Sequence, residues 1–553
     1  MFYAVLFIAR GWFGHPVPAV DISHSARMLP LYALYSIVRI FGAYVLSLIF
    51  AVGYGYIAAY NPRIEPLMIA ALDILQSIPV LSFLPGVMLA MVSLFPTRQL
   101  GIELGAILLI FTGQVWNMAF SLYSSLKSIP TELQEAARVY RFSAWQRFWQ
   151  LELPFSAIGL VWNSMVSVAG GWFFLTACEM FVLGDRDFRL AGLGSYLQTA
   201  ASTGDTRATI WGVITMLLIV VLTDQLVWRP IIAWSDKFKF ENVESADRPR
   251  SPMLYALRHS NLLGIIQQRT IAPLSERIYM GLAHERSRAL AQAALGKKKP
   301  VPKTVSRSFA IILIIAAAAV ILLAATHALI LLRQVHSWEV VMLLKGAAAT
   351  FLRVNISLVL AAAWTIPVGV AIGFQPKLAR IAQPLAQMAA SFPATVLFPV
   401  IILGLMKLGA GLGIGSLALM LLGTQWYILF NVIAGAMAIP SDLREVSTLF
   451  HFTAAQRWKT VILPGIFPYL ITGLVTASGG AWNASIIAEY FHLRGNTLQT
   501  LGLGAQISAA SDAGRFSILL LATIIMALMV VTINRMVWRP LYKLAETKYR
   551  IEG

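Results

Sequence analysis

Long apolar stretches alternate with short polar segments along almost the whole chain. A bilayer core about 30 Å thick is crossed by roughly 20 apolar residues in a helix. Eleven stretches are long enough: Leu31–Tyr60, Pro66–Phe95, Gly101–Leu126, Pro154–Leu183, Ala208–Trp228, Phe309–Leu332, Val340–Phe374, Leu378–Met406, Gly411–Ala438, Gly465–Ile487 and Phe516–Trp538. The sequence lacks the short alternating segments of a membrane barrel, and therefore predicts an all-α integral membrane protein.

The N-terminal stretch Met1–Phe13 fits none of the usual apolar segments. Arg10 comes too early for a complete span, and no basic segment precedes the stretch as it would in a signal peptide. The second half has a full-length apolar stretch at the corresponding place, Phe309–Leu332. We expect either that the first helix is incomplete or that the given start is late.

Two segments 310 residues apart repeat each other: Ile129–Pro154 and Ile439–Pro464 share ten of 26 positions. The same offset pairs Gly170 with Gly480, Trp172 with Trp482, Glu179 with Glu489, and Gly192-Leu193-Gly194 with Gly502-Leu503-Gly504. Further upstream an offset of 314 pairs Ser77 with Ser391 and Pro79 with Pro393. The sequence therefore predicts two pseudosymmetric halves that arose by tandem duplication.

A polar segment with the run Lys297-Lys298-Lys299 separates the halves. Positive charge retains such a segment in the cytoplasm, and both repeated loops then also fall on the cytoplasmic side. We predict a first repeat over 1–234, a charged cytoplasmic linker over 235–306 and a second repeat over 307–553. With about six spans in each half, the repeats are parallel and related by an axis along the membrane normal.

Composition agrees with a membrane protein. The 553 residues are 58% hydrophobic and 12% charged, whereas soluble domains are about 25% charged. The net charge is +18, and the basic residues lie in loops between the spans, where positive charge retains loops on the cytoplasmic side of a membrane. Because this accounts for the charge, we expect membrane lipid and no nucleic acid as partners. The single cysteine, Cys178, excludes an intrachain disulfide framework.

The repeated loop is too polar to cross a membrane and shows the signals of two short helices. When Gln follows a hydroxyl residue three positions later, each side chain can accept a hydrogen bond from the backbone N–H of the other residue, which satisfies two free N–H groups at the helix start. This capping box occurs as Thr131 with Gln134, Ser143 with Gln146 and Thr453 with Gln456. Ser441 has Arg444 in place of the reciprocal Gln, so we expect the first helix of the second loop to be the less ordered one.

A turn is predicted near Arg141 in the first loop and near His451 in the second. Pro154 and Pro464 are then expected to begin the next membrane helix, because proline is tolerated in the first helical turn.

The two loops carry a family resemblance. Glu135-Ala136-Ala137, followed by Leu153-Pro154, resembles the EAA loop of permeases in binding-protein-dependent ABC importers, and Glu445-Val446-Ser447 is a weaker second copy. The family usually has Gly at the turn, where this chain has Arg141 and His451. Gly adopts the left-handed backbone conformation of such a turn without strain, and because this chain lacks Gly there, the shape of the turn is left open.

Other segments are similar to nitrate/taurine/sulfonate-type permeases. They are Gln76-Ser77-Ile78-Pro79, Ser391-Phe392-Pro393 and the two Gly-Leu-Gly segments. The chain is therefore identified as resembling a fused, tandem-duplicated type I importer permease. That resemblance implies two helical bundles of about six spans each, a location in the bacterial inner membrane, and a small, anionic solute.

The resemblance also implies partners. In this family the EAA loop docks as a coupling helix on a cytoplasmic ATP-binding subunit, so two copies of that subunit and an extracytoplasmic solute-binding protein are expected. No GxxxxGK[ST] phosphate loop occurs in the sequence, so ATP and Mg are expected on the partner, and this chain is expected to be no enzyme. The coupling residues implied are Thr131, Glu132, Glu135, Ala136, Ala137, Arg141, Ser441, Asp442, Glu445 and His451.

Polar groups within spans are costly and are candidates for a translocation path. The candidates are Gln76, Ser77, Gln114, Asn163, Trp172, Ser391, Trp482 and Asn483. Arg39 and Arg353 are interpreted either as attracting an anion or as reaching the lipid headgroups. Glu179 and Glu489 are interpreted as residues of the outer membrane interface. No metal-ligand spacing or catalytic constellation is recognisable.

Two other classes stay open. A secondary transporter of the major-facilitator type also has two parallel six-helix halves, but it lacks a structured helical loop before the fifth helix of each half. A non-transporting membrane scaffold driven by an ATPase would keep the loops. A membrane-embedded enzyme is disfavoured, because no polar constellation converges at one depth.

Overall fold

The structure, a computed structural model, describes residues 21–95, 99–140, 142–183, 186–238, 322, 325–391, 394–407, 409, 411–439, 441–493 and 496–548. Helices make up most of these residues. The predictions for Met1–Phe13, for residues 239–306 of the linker and for Arg141 concern residues outside the described ones.

The first half contains eight helices in the described residues. They are α1 Leu29–Tyr60, α2 Glu65–Ser77, α3 Leu84–Leu94, α4 Leu100–Lys127, α5 Thr131–Val139, α6 Ala144–Glu179, α7 Leu193–Thr203 and α8 Thr206–Ser235. A 3-10 turn, Val80–Phe83, joins α2 to α3. An antiparallel hairpin of β1 Val182–Leu183 and β2 Arg186–Asp187 connects α6 to α7.

The second half repeats this order. Its described helices are α9 Ser337–Phe374, α10 Pro376–Ser391, α11 Ala394–Lys407, α12 Leu412–Ala438, α13 Ser441–Leu449, α14 Ala454–Ala488, α15 Leu503–Asp512 and α16 Phe516–Ala545. A hairpin of β3 Tyr490–Leu493 and β4 Asn496–Gln499 pairs Tyr490 with Gln499 between α14 and α15.

Eight of the predicted spans are confirmed as helices long and apolar enough to cross a membrane: α1, α4, α6, α8, α9, α12, α14 and α16. The predicted span Phe309–Leu332 is described only at 322 and 325–332, which are helical. We call the end of the spans that carries α5 and α13 the loop end, and the opposite end the outer end.

Of the two remaining predicted spans, Pro66–Phe95 is wrong as a single helix, and Leu378–Met406 corresponds to α10 and α11, with residues 392–393 between them outside the described ones. The first is broken by 82° between α2 and α3. Ile78 is extended (ψ 124°), as expected for a residue before proline, so the helix ends there.

Four π turns lie inside the long helices: Phe148–Glu152, Asp224–Trp228, Trp458–Ile462 and Asn534–Trp538. Each ends two residues before a proline. Proline has no N–H and its ring collides with the carbonyl four residues back, and a wider turn accommodates both effects. As predicted, Pro154 and Pro464 lie in the first turn of regular α-helical segments, Leu153–Glu179 and Leu463–Ala488, but the complete helices α6 and α14 begin earlier, at Ala144 and Ala454.

The segments α2–α3 and α10–α11 join the two halves. The segment from α2 to the 3-10 turn packs against α14 and α16, and α10 and α11 pack against α6, α7 and α8. The hydroxyls of Thr176 and Thr395 lie 2.9 Å apart at this contact, both buried. One apolar cluster contains residues of both halves, among them Leu84, Phe398 and Trp482. The fold is therefore two equivalent bundles that share one core.

Candidate functional site

The two loops at the loop end begin differently from the prediction. Pro130 is the N-cap of α5 and makes no side-chain cap, and Thr131 is the first helical residue, so the predicted Thr131–Gln134 capping box is wrong. Gln134 instead donates through Nε2 to the carbonyl oxygen of Ile129 at 2.9 Å. This bond satisfies a carbonyl of the short segment between α4 and α5.

Arg444 takes the place of Gln134 in the second loop. Its guanidinium donates to the carbonyl oxygens of Ala436 (2.7 Å) and Ile439 (2.9 Å) and lies 4.5 Å from the ring centre of Phe374. Arg444 therefore ties α13 to the ends of α12 and α9. Arg444 thus supplies side-chain contacts where the reciprocal Gln is missing, and the lower order expected for this helix stays a prediction.

The second helix start in each loop is confirmed. Ser143 and Gln146 form a complete capping box, and Thr453 and Gln456 form the equivalent one. These boxes begin α6 and α14, so the second loop helix is the first turn of a membrane span and not a separate short helix.

The turn between the two loop helices is left-handed. His451 has a φ of +48°, and the N–H groups of His451 and Phe452 donate to the carbonyls of Thr448 and Ser447. This is the Schellman pattern, in which Gly is usual. In the first loop Phe142 donates to Ala137 in the same way, at 2.9 Å. The second loop therefore forms the left-handed turn with His451 at the position where the family usually has Gly.

The tips of both loops expose large apolar side chains. Val139 and Tyr140 are 78% and 75% exposed, and their equivalents Leu449 and Phe450 are 76% and 68% exposed. Nearby, Thr131, Glu132, Glu135, Ala136 and Glu445 are exposed, Ala137 is buried, and the side chains of Ser441 and Asp442 lie outside the described ones. Apolar residues at matching exposed positions are typical of a surface that contacts another protein or the membrane.

One buried carboxylate distinguishes the first loop. Glu152 is fully buried in the π turn of α6 and accepts hydrogen bonds from Arg147 Nε (2.6 Å) and from the Tyr60 hydroxyl (2.5 Å). Arg147 also lies 4.8 Å from the centre of the Tyr60 ring. The second loop has Ile462 at the equivalent position, so this polar link between loop and first long helix belongs to the first half.

At the outer end, each half contains a buried charged cluster. Glu179 accepts from Arg39 (2.8 Å), from the Ser36 hydroxyl (2.7 Å) and from the Gly194 N–H (2.7 Å). Arg39 also binds Glu103 with two N–H···O bonds of 2.6 Å. The second half repeats the core of this arrangement: Glu489 accepts from Arg353 (2.7 Å), Thr350 (2.8 Å) and Gly504 (2.9 Å).

These clusters explain the repeated Gly-Leu-Gly segments. A Cβ on Gly192 or Gly502 would overlap the carboxylate of Glu179 or Glu489, and the second glycine of each segment supplies the N–H that the carboxylate binds. The interpretations of Arg39 and Arg353 as anion or headgroup contacts, and of the two glutamates as interfacial, are wrong. The matching Arg, hydroxyl, Glu and Gly positions in both halves were the signal that could have predicted the clusters.

The described residues that were predicted to line a translocation path lie in different surroundings and do not form one site. Gln76 donates to Asn117 at 3.1 Å on an exposed surface, and the Asn163 and Asn483 amides bond to carbonyls of their own helices. Trp172 and Trp482 are buried in apolar clusters. The side chains of Ser77 and Ser391 lie outside the described ones.

Gln114 is fully buried, and neither its amide oxygen nor its nitrogen has a partner among the described residues. A Cβ on Gly171 would overlap the Gln114 amide, and Ile40 lies close to the same point. Gln114 therefore lies between α1, α4 and α6, inside the first half.

A cavity of about 470 Å³ lies between the halves at the outer end. Its lining contains residues that are equivalent at the 310-residue offset: Met180 and Tyr490, Phe181 and Phe491, Gln198 and Ser508, Ser202 and Asp512. The cavity, which we call the outer chamber, therefore lies on the pseudo-twofold axis. Among the described residues no group of His, Cys, Asp and Glu side chains is arranged to hold a metal ion.

Comparison with known proteins gives the same picture of two repeats. A family model described as "Binding-protein-dependent transport system inner membrane component" matches residues 43–227 and 365–538. Both matches include the loop, the π turn before Pro154 or Pro464, the outer glutamate and the Gly-Leu-Gly segment of their half.

Curated relatives are similar over parts of the chain. The nitrate import permease protein of Leptolyngbya laminosa is 26% identical over 190 residues, 34% of this chain and 64% of that protein. The taurine transport system permease protein of Escherichia coli is 28% identical over 166 residues, 30% of this chain and 56% of that protein. The bicarbonate transport system permease protein of Synechococcus elongatus is 27% identical over 141 residues, 26% of this chain and 49% of that protein. The chain spans less than two thirds of the length of these relatives.

Proposed function

Because the chain belongs to the family of binding-protein-dependent transport system inner membrane components, a family of multi-pass membrane permeases, we propose that it forms both halves of the permease of an ATP-driven importer. The same chain would then supply both coupling loops. The observation that carries this proposal is the pair of exposed apolar tips, Val139-Tyr140 and Leu449-Phe450, at equivalent positions of the two loops.

The loops have the rigidity that transmission of motion requires. Each tip is followed by a Schellman-type turn and a capping box, and the capped helix continues without interruption into α6 or α14. A force applied at the tip would therefore move a whole membrane span as a rigid body. The outer ends of these spans are held by Glu179 and Glu489, which bind Arg39 and Arg353 on the first long helix of each half.

The proposed partners follow from this arrangement. Each loop tip would bind one cytoplasmic ATP-binding subunit that holds ATP and Mg, and an extracytoplasmic solute-binding protein would deliver the solute. Closure of the two ATP-binding subunits would move both loops together and switch the chamber between its accessible sides. The solute is proposed to be small, since the relatives are named for nitrate, taurine and bicarbonate.

Transport in proteoliposomes separates this proposal from its alternatives. The chain is reconstituted with its ATP-binding subunit and its solute-binding protein, and uptake of labelled nitrate, taurine and bicarbonate is measured with and without ATP. We expect uptake of at least one solute that requires ATP and is insensitive to collapse of the proton and sodium gradients. Uptake driven by a gradient without ATP would indicate a secondary transporter instead, and ATP hydrolysis without uptake of any solute offered would favour a scaffold.

A further inference from the structure

A second cavity, of about 300 Å³, lies within the second half at its outer end. The starts of α9 and α16 and one face of α15 form its described lining, which includes Trp338, Met342, Leu343, Gln506, Ala510 and Ile518. The opposite face of α15 lines the outer chamber through Ser508 and Asp512, so the helix separates the two cavities. We call this cavity the second-half pocket. Its volume is within the range of small-molecule sites, about 300–1,000 Å³.

In the first half, side chains of the chain itself fill the equivalent space. Ile22, Tyr32 and Tyr196 are buried in one apolar cluster, and the centres of the two tyrosine rings are 6.2 Å apart. The Tyr196 hydroxyl donates to the carbonyl oxygen of His24 at 3.1 Å, and the Tyr32 hydroxyl accepts from the Ser23 N–H at 3.1 Å. The natural occupants of this position are therefore phenol rings whose hydroxyls are hydrogen-bonded.

The second half has no ring at either tyrosine position. The 314-residue offset places Gly346 at the position of Tyr32, and the 310-residue offset places Gln506 at the position of Tyr196. A Cβ on Gly346 would overlap the Gln506 amide, so these two positions face each other as the tyrosines do. The second-half pocket is therefore the space that a tyrosine ring occupies in the other half.

The pocket contains a hydrogen-bond acceptor that is not used by the described residues. Gln506 donates through Nε2 to the carbonyl oxygen of Met342 at 2.8 Å, whereas its Oε1 is buried and has no partner among the described residues. An unpaired buried acceptor is unfavourable, so a ligand that donates one hydrogen bond is favoured. The two charged residues of the described lining, Glu339 and Arg515, form an ion pair with each other, which suits a neutral ligand.

We propose that the second-half pocket binds a small neutral phenol. The ring lies against Met342, Leu343 and Ile518, beside the Arg515 guanidinium, which interacts favourably with an aromatic face. The hydroxyl donates to Gln506 Oε1. The ligand thus replaces the tyrosine ring of the first half and holds α9, α15 and α16 together at the outer end. Binding here does not require transport, so it is tested on the chain alone.

Two neighbouring residues of α15 allow a matched test. Ala509 lines the second-half pocket and Ser508 lines the outer chamber, and both are partly buried. The native Cys178 is fully buried, which keeps the background reaction of thiol reagents low. The Ala509→Cys and Ser508→Cys variants of the full chain are placed in lipid nanodiscs. Each is treated with methyl methanethiosulfonate, with and without 4-methylphenol, which is the tyrosine side chain as a free molecule.

We expect saturating 4-methylphenol to slow the reaction of Ala509→Cys by at least about 5-fold and that of Ser508→Cys by less than about 2-fold, because only the former thiol lies beside the ligand. Toluene, which lacks the hydroxyl, should bind about 2- to 10-fold more weakly, the ratio that one neutral hydrogen bond provides. Equal slowing of both variants would indicate an effect on the bilayer and would overturn the proposal. So would equal binding of toluene, or no slowing at all, as expected if a lipid acyl chain fills the pocket.

Two substitutions of Gln506 test the contact and the location separately. Gln506→Leu, in the Ala509→Cys background, removes the acceptor and keeps a side chain of similar size, so 4-methylphenol and toluene should then protect equally. A retained preference for 4-methylphenol would contradict the role of Oε1. Gln506→Tyr supplies the ring from within the chain, as Tyr196 does in the first half. Saturating 4-methylphenol should raise the thermal unfolding temperature of the wild type but not that of Gln506→Tyr, and an equal rise in both would contradict the location of the site.

Discussion

Arg39 and Glu179 form a buried ion pair of 2.8 Å that joins the outer ends of α1 and α6. Arg353 and Glu489 form its equivalent at 2.7 Å between α9 and α14. The pair recurs in both halves after extensive divergence of the sequence around it. It therefore fixes the relative position of the first long helix and the span that continues from the coupling loop.

Removing one partner of this pair should destabilise the protein strongly. Glu179→Ala leaves Arg39 with only Glu103 as a carboxylate partner and removes the acceptor for the Gly194 N–H. Loss of one member of a buried pair typically costs about 3–5 kcal/mol. We expect a marked fall in the thermal unfolding temperature in detergent. Glu132→Ala, at an exposed loop position, is the control and should leave that temperature nearly unchanged; equal behaviour of the two variants would contradict the assignment.

Glycine is required where the carboxylates approach the backbone. Gly192→Ala places a Cβ on the Glu179 carboxylate, and Gly502→Ala does so on Glu489, so both should reduce the yield of folded protein. Gly42→Ala is the matched control, because no atom lies within 4 Å of its added Cβ and Ala favours a helix over Gly by about 1 kcal/mol. Size-exclusion profiles of the three variants should show loss of the monodisperse peak for the first two alone.

Arg444 should support the second loop through backbone carbonyls. Arg444→Ala removes two hydrogen bonds, each contributing about 0.5–1.5 kcal/mol, whereas Arg444→Gln can keep the single bond that Gln134 makes in the first loop. We expect faster proteolysis of the loop in Arg444→Ala than in Arg444→Gln. Identical cleavage rates in the two variants would show that the carbonyl contacts do not hold the loop.

The left-handed turn at His451 gives a conformational test. At a φ of +48°, His451→Gly should preserve the turn, because Gly adopts this region without strain. His451→Val should destabilise the turn by about 1–2 kcal/mol, since a β-branched residue is disfavoured there. Hydrogen exchange of the Phe452 amide, which bonds to Ser447, should accelerate in the Val variant alone. Acceleration in the Gly variant as well would indicate that the histidine side chain itself holds the turn.

The sequence predicted the spans well because their signal is local. Twenty apolar residues specify a membrane helix without knowledge of the neighbours, and the long helices α1 and α9 were located within a few residues. The break at Ile78-Pro79 was missed, because an apolar broken helix has the same composition as a straight one.

The sites were harder to predict because they depend on long-range contacts. The Glu179 cluster joins residues 140 positions apart, and composition alone cannot distinguish it from charges at a membrane surface. The capping boxes at Ser143 and Thr453 were predicted correctly, since they involve residues three positions apart. The box at Thr131 failed because Pro130 occupies the cap and Gln134 bonds to Ile129 instead.

The number of ATP-binding subunits held by each chain tests the central claim most directly. Native mass spectrometry of the purified complex should show two copies per chain for the wild type, one for Val139→Asp/Tyr140→Asp, one for Leu449→Asp/Phe450→Asp and none when all four are changed, because each exposed tip binds one subunit. Leu501→Asp, an exposed apolar residue at the outer end, should keep both copies. Retention of two copies in the fourfold variant would contradict the account.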